Sequence, residues 1–196
     1  LYVLVEYKYF WAYPLEIFKF WKGGLVFYGG LILGLLVSLW YLNRHHMPVW
    51  KTADLLAPSI AIGQSIGRWG CLFAGCCYGK ETDAIFGITF TNPRSLAPLE
   101  ISLHPTQIYL SLNALFIFIF LMILSKKKVF DGQVLWSYGI LYSIGRFLIE
   151  YFRGDDRGFP VEQLLSTSQF VGVFIFLLSS FMLLVLYRKN LRSRPS

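Results

Sequence analysis

The sequence predicts an all-α, polytopic integral membrane protein, and three observations carry that prediction. Of 196 residues, 56% are hydrophobic and only 15% charged, with a mean hydropathy of +0.54. The apolar residues gather into runs long enough to cross a bilayer, and the basic residues gather at alternate ends of those runs. Soluble domains carry roughly a quarter charged residues, so a disordered chain, a coiled coil and an ordinary water-soluble enzyme are all excluded. Hydrocarbon offers backbone N–H and C=O groups no water, so such runs must close their own hydrogen bonds as helices.

Taking about 20 apolar residues per crossing, five complete transmembrane helices are expected, over residues 25–42, 55–78, 108–124, 134–152 and 169–187. A further apolar run before Glu6 reads as the remnant of another helix. Because the chain starts at Leu1 inside that run, without an initiator Met, an N-terminal truncation is expected. Seven helices would then make up the longer protein. With no internal repeat, residues 1–196 read as a single transmembrane domain.

Each span has its own sequence logic. The first opens on Phe27-Tyr28-Gly29-Gly30 and is followed by Arg44, His45, His46 and Lys51. The second carries Gly63, Gly67, Gly70 and Gly75, small residues that let membrane helices approach closely. The third follows Ser102-Leu103-His104-Pro105-Thr106-Gln107, where Pro105 suits a helix start, and ends at Lys126, Lys127 and Lys128. In the fourth, Tyr142, Arg146, Glu150 and Arg153 are spaced 4, 4 and 3, so a phenol, a guanidinium, a carboxylate and a second guanidinium share one helix face. The fifth is followed by Arg188, Lys189, Arg192 and Arg194. Trp11, Trp21, Trp50 and Trp136 lie near span ends, where amphipathic rings favour the headgroup layer.

Lys and Arg are retained in cytoplasmic loops, which orients the chain. Of the acids outside the spans, eight (Glu6, Glu16, Glu81, Asp83, Glu100, Asp155, Asp156 and Glu162) fall in the other connections, against Asp54 and Asp131 on the basic side. The C-terminus is therefore expected in the cytoplasm, with the acidic loops at the outer face. The net charge of +7 is an orientation signal, and nucleic acid is not an expected partner.

Charged groups inside spans carry the functional reading, because a charge at a helix centre costs roughly 2.5–3.5 kcal/mol on insertion scales. Arg68 and Arg146 are two such cations, and Glu150, one turn beyond Arg146, is one carboxylate. An internal ion pair would account for two of the three, and a bound anionic headgroup for the remaining positive charge. Tyr28, Arg68, His104, Gln107, Tyr142, Arg146, Glu150 and Arg153 all map to the outer half of the membrane. His104 is the imidazole among them, a side-chain type suited to acid or base work. Cys71, Cys76 and Cys77 lack CxxC spacing and a matching His pair, so no metal site is expected. Adjacent thiols at an oxidising face leave a membrane thiol oxidoreductase using Cys76 and Cys77 as an alternative.

Four motifs in order resemble the prolipoprotein diacylglyceryl transferase family. They are F-Y-G-G-L-I-x-G from Phe27, G-R-x-G-C-x-x-x-G-C-C-Y-G from Gly67, H-P-T-Q-x-Y from His104 and Y-x-x-x-R-x-x-x-E-Y-F-R from Tyr142. The resemblance implies transfer of the diacylglyceryl group of phosphatidylglycerol to the thiol of a lipobox cysteine in a prolipoprotein signal peptide. It places that reaction at the outer face of the bacterial inner membrane, with no cofactor. It further implies catalytic roles for Arg68, Tyr142, Arg146, His104 and Tyr28, and substrate contacts from Gly29, Gly30, Gly79, Gln107, Glu150 and Arg153. Tyr28 stands where the family has a histidine, Cys71 where it has an asparagine and Cys76 where it has a glutamate. The phosphate side of the motif set is thus intact, and the departures gather on the side of the acceptor thiol. A catalytically altered lipid-binding relative is the further alternative these departures leave open.

Overall fold

A computed structural model describes residues 27–154 and 166–192. Among them the chain forms five α-helices: α1 (Phe27–Arg44), α2 (Val49–Ala74), α3 (Thr106–Lys127), α4 (Gln133–Glu150) and α5 (Thr167–Arg192). Each covers most of one expected span. By length and apolar composition, α3 and the segment Ser168–Arg192 of α5 are able to cross a membrane. The expected remnant before Glu6 lies outside the described residues.

The fold is mostly helical, as expected, with one small addition. The long connection from α2 to α3 holds a small antiparallel sheet, β1 (Ile88–Thr89) with β2 (Ser102–Leu103), in which Ile88 pairs with Leu103 and Thr89 with Ser102. A connection of this length folding back on itself must satisfy its own backbone groups. Pairing the β-branched Ile88-Thr89 with the segment before α3 does so. No periodicity signal is available over two residues.

The chain divides into two compact units, Leu1–Val49 and Trp50–Ser196. The first contains α1. In the second, α2, α3 and α4 run alternately up and down around a small core of Ala57, Ala61, Ile117, Leu121 and Val134, each at most 2% exposed. Alanines on α2 bring that helix close, and a polar clasp adds to this: Ser65 Oγ donates to the Ser111 carbonyl and Ser111 Oγ to the Ser65 carbonyl, both at 2.9 Å. Glycines on α4 make the other approaches. A Cβ at Gly145 would strike the Asn113 side chain on α3, and one at Gly139 would strike Ser179 on α5.

The start of α4 is built from a distance. Its N-cap, Gly132, sits at φ +93°, a backbone conformation that favours glycine, and so offers no capping side chain. Asp54 of α2, 3% exposed, supplies the cap instead. Its Oδ1 accepts from the Leu135 N–H at 3.0 Å, and its Oδ2 from the Gly132 N–H at 2.9 Å and from Lys128 Nζ at 3.0 Å. Leu135 is the third helical residue, whose N–H an ordinary N-cap would satisfy. This end of the unit thereby fixes the axial position of α4, and with it the polar stripe one helix length away.

Candidate functional site

At the other end of this unit, three segments meet on Gly79. The Gly79 N–H donates to the His104 carbonyl at 3.0 Å, and the Lys80 N–H to the Phe152 carbonyl at 2.8 Å. His104 N–H returns to the Lys80 carbonyl at 2.9 Å, and Gly79 forms an antiparallel bridge with Arg153. A Cβ on Gly79 would lie 2.5 Å from both the Cβ and the carbonyl oxygen of His104, and 2.8 Å from the Phe152 carbonyl. Only a residue without a side chain lets the loop after α2, the run before α3 and the end of α4 cross here.

That crossing seats Arg153 beside the carboxylate that also holds Arg146. Glu150 Oε2 lies 2.8 Å from Arg146 Nη1 and 3.7 Å from Arg153 Nε. All three side chains are less than a tenth exposed. Glu150 Oε1 accepts from Ser166 Oγ at 2.8 Å, and Arg146 Nη2 donates to Ser168 Oγ at 2.8 Å. Two buried guanidiniums thus share one carboxylate, in surroundings where the dielectric is low and Coulomb forces are strong.

His104 is half-buried, with Nδ1 3.1 Å from the Tyr109 hydroxyl and its ring edge-on to Phe152 at 5.3 Å. The next turn ties α3 to the end of α2. Thr106 Oγ1 donates to the Cys77 carbonyl at 2.6 Å and Gln107 Nε2 to the Cys76 carbonyl at 2.8 Å. Gln107 is 1% exposed, and its Oε1 has no hydrogen-bond partner among the described residues. Tyr142, one turn before Arg146, stacks on Tyr138 with ring centroids 5.9 Å apart, and Tyr138 donates to Gln64 Oε1 at 2.8 Å.

The structure therefore brings together Gly79, His104, Gln107, Glu150, Arg153 and Arg146 through a continuous set of contacts. Arg68 is half-buried on α2, and no carboxylate pairs with it among the described residues. Tyr28, Gly29 and Gly30 occupy the first turn of α1 in the other unit; the side chain of Tyr28 lies outside what the structure describes. Sequence reasoning missed Ser166 and Ser168, the hydroxyl partners of Glu150 and Arg146. The signal was the S-T-S-Q run from Ser166 to Gln169 just before the fifth apolar run.

The three cysteines also differ from expectation. The end of α2 forms a two-bond C-cap: the Gly75 N–H donates to the Leu72 carbonyl and the Cys76 N–H to the Cys71 carbonyl, both at 3.1 Å, with Gly75 at φ +69°. This cap brings the residues at its two ends into side-chain contact, and here those residues are Cys71 and Cys76. Cys77, at φ +60°, turns the chain back. All three Sγ atoms lie within 4.8 Å of one another.

Comparison with known proteins bears directly on this arrangement. A family model described as prolipoprotein diacylglyceryl transferase matches residues 1–185. The chain belongs to the prolipoprotein diacylglyceryl transferase family. Among its relatives, the phosphatidylglycerol–prolipoprotein diacylglyceryl transferase of Clostridium tetani is 41% identical over 181 residues, covering 92% of this chain and 71% of that protein. A second, from Clostridium perfringens, is 42% identical over 89% of this chain and 67% of its own length. The protein of that name from Bacillus velezensis is 32% identical over 96% and 69%. These matches favour the transferase reading over the thiol-oxidoreductase alternative.

Proposed function

We propose that this protein is an integral membrane enzyme that transfers the diacylglyceryl group of phosphatidylglycerol to the thiol of a lipobox cysteine in a prolipoprotein signal peptide. It crosses the bacterial inner membrane with each of α1 to α5, as part of one transmembrane domain. Its C-terminus is cytoplasmic, and the Gly79 crossing faces outward. Family membership over most of the chain supports the reaction. The exposed apolar side chains along the helices, such as Phe116 (67%) on α3 and Phe174 (64%) on α5, support a lipid surround. The basic connections after α1 and α3 support the orientation.

The observation that carries the assignment of the site is the pair of buried guanidiniums, Arg146 and Arg153, gathered at Glu150 beside the crossing of three segments at Gly79. In the reaction, the acceptor sulfur forms a bond to the glycerol carbon while the carbon–oxygen bond to phosphate breaks. Glycerol phosphate leaves with the developing negative charge, and fixed cations aimed at that charge lower the barrier. Arg146 and Arg68 hold the phosphate, and Glu150 with Ser168 orients Arg146. His104, its ring fixed through Nδ1, takes the thiol proton. Tyr142, Gln107, Gly79 and Arg153 serve the headgroup side, and the family resemblance assigns Gly29 and Gly30 a substrate contact as well. A phenol titrating near pH ~10 is a poor resting base, so Tyr28 orients headgroup or thiol. An apolar cleft between α4 and α5, lined by Ile144, Phe147, Val173 and Phe176, supports acyl-chain binding beside the same helix.

The test is mass spectrometry of a lipobox peptide incubated with the protein in phosphatidylglycerol vesicles. The wild-type protein adds one diacylglyceryl unit. Arg146→Ala lowers the rate about 100- to 1,000-fold, as loss of a charge-stabilising donor does elsewhere, while the protein still inserts. Equal rates for wild type and a folded Arg146→Ala variant would remove Arg146 from the phosphate site.

A further inference from the structure

The proposed transfer makes no use of Cys71, Cys76 and Cys77, yet they form the densest cluster of soft donor atoms among the described residues. We propose that these three thiols are a binding site for a thiophilic divalent cation of the Zn2+ type, organised by the C-cap of α2. The donor geometry is the first argument. Zinc binds thiolate sulfur at about 2.3 Å, which sets ligand sulfurs about 3.8 Å apart in a tetrahedral site. The three Sγ atoms already lie within 4.8 Å of one another, so side-chain rotation of less than about 1 Å per sulfur completes the site.

The backbone is arranged for this independently of the thiols. Gly75 at φ +69° and Cys77 at φ +60° fold the chain sharply after α2. Position 75 is closed to any side chain, because a Cβ there would strike Ser95 Oγ. The Cys76 and Cys77 carbonyls are then tied to Gln107 and Thr106, so the two loop cysteines cannot drift from Cys71 without breaking bonds to α3. Electrostatics agree. A divalent ion on three thiolates carries one net negative charge, and Arg68, three residues before Cys71 on α2, is a neighbouring cation.

On binding, each ligating thiol releases its proton to solvent and donates a sulfur lone pair, with no change of oxidation state. No fourth His, Cys, Asp or Glu among the described residues joins the cluster, so the protein supplies three ligands and the fourth position is taken by a water molecule or a small anion, as in open zinc sites. The site takes none of its ligands from the phosphate-binding groups, and its occupancy stiffens the junction between α2 and the first turn of α3.

The test uses the full chain in detergent, reduced so that all three thiols react with a thiol reagent under denaturing conditions. Adding Zn2+ followed by gel filtration is expected to leave one zinc per chain. Co2+ as a probe is expected to give the near-ultraviolet sulfur-to-metal charge-transfer band, and Zn2+ to shield the thiols from alkylation in the wild-type protein. Each of Cys71→Ser, Cys76→Ser and Cys77→Ser is expected to weaken binding at least tenfold, while replacing His45 and His46 with Ala leaves it unchanged. Absence of both the charge-transfer band and alkylation shielding in the reduced wild-type protein would overturn the proposal without recourse to any variant. Undiminished binding in any one folded Cys→Ser variant would overturn the three-thiol assignment.

Discussion

The two ends of the helical unit Trp50–Ser196 each bury a carboxylate against basic side chains, in different surroundings. At one end, Lys128 lies between two acids, Asp54 at 3.0 Å and Asp131 at 2.8 Å. At the other, Glu150 lies between two guanidiniums, Arg146 and Arg153. The oxygens of Asp54 are filled by two backbone N–H groups and the lysine, so that end is closed and its work is to position α4. The Glu150 end gathers two guanidiniums and is assembled from four chain segments, the arrangement on which the proposed anion site rests. A buried ion pair thus says little by its presence; an anchor has its oxygens filled by backbone donors, whereas the proposed site lies where several chain segments converge.

The largest expected effect tests the anchor. Asp54→Ala strands the N–H groups of Gly132 and Leu135, while Lys128 keeps Asp131, so the loss is that of two buried donors, about 3 kcal/mol. Thermal unfolding in detergent should show it as a marked fall in midpoint, with activity per folded molecule retained. Equal loss of specific activity and of stability would erase the distinction between the ends.

Gly79→Ala comes next. The added Cβ must displace the His104 or Phe152 backbone, an overpacking cost of about 2 kcal/mol, and it falls on the crossing that seats both His104 and Arg153. Transfer should drop more than the unfolding midpoint does, the reverse of Asp54→Ala. A smaller effect is expected from Ser168→Ala, which removes a hydrogen bond to a buried guanidinium worth about 1.5 kcal/mol and should slow transfer about tenfold. An unchanged rate would show that Glu150 alone orients Arg146.

The smallest effect is a pH dependence at the anchor. Burial lowers the affinity of Lys128 for its proton, but hydrogen bonds and charge from Asp131 and Asp54 outweigh it, and the net shift is upward. A raised value in the folded protein means this contribution is fully present below the ordinary lysine value near pH ~10.4 and is lost as pH rises through the shifted one. Melting midpoints of wild type and Lys128→Met should therefore converge only in strongly alkaline solution.

Much of this was legible in the sequence. Apolar runs located the five helices because hydrocarbon forces each run to satisfy its backbone internally. The 4, 4, 3 spacing placed Arg146, Glu150 and Arg153 together because helix periodicity is local. The C-cap at Gly75 was legible in principle too, since a glycine flanked by Cys71 and Cys76 is a local pattern, whereas motif spacing alone pointed away from a metal. What the tertiary structure alone decided are the pairings between distant segments. Asp54 caps a helix whose first residues lie 78 positions away, Ser166 and Ser168 reach Glu150 and Arg146 from the start of another helix, and Gly79 is required because two other segments pass within a carbon's breadth of it. Helix periodicity and capping are properties of a few consecutive residues, so the sequence by itself determines them. Which buried donor meets which acceptor depends on how helices approach, and that is set only when the whole unit packs.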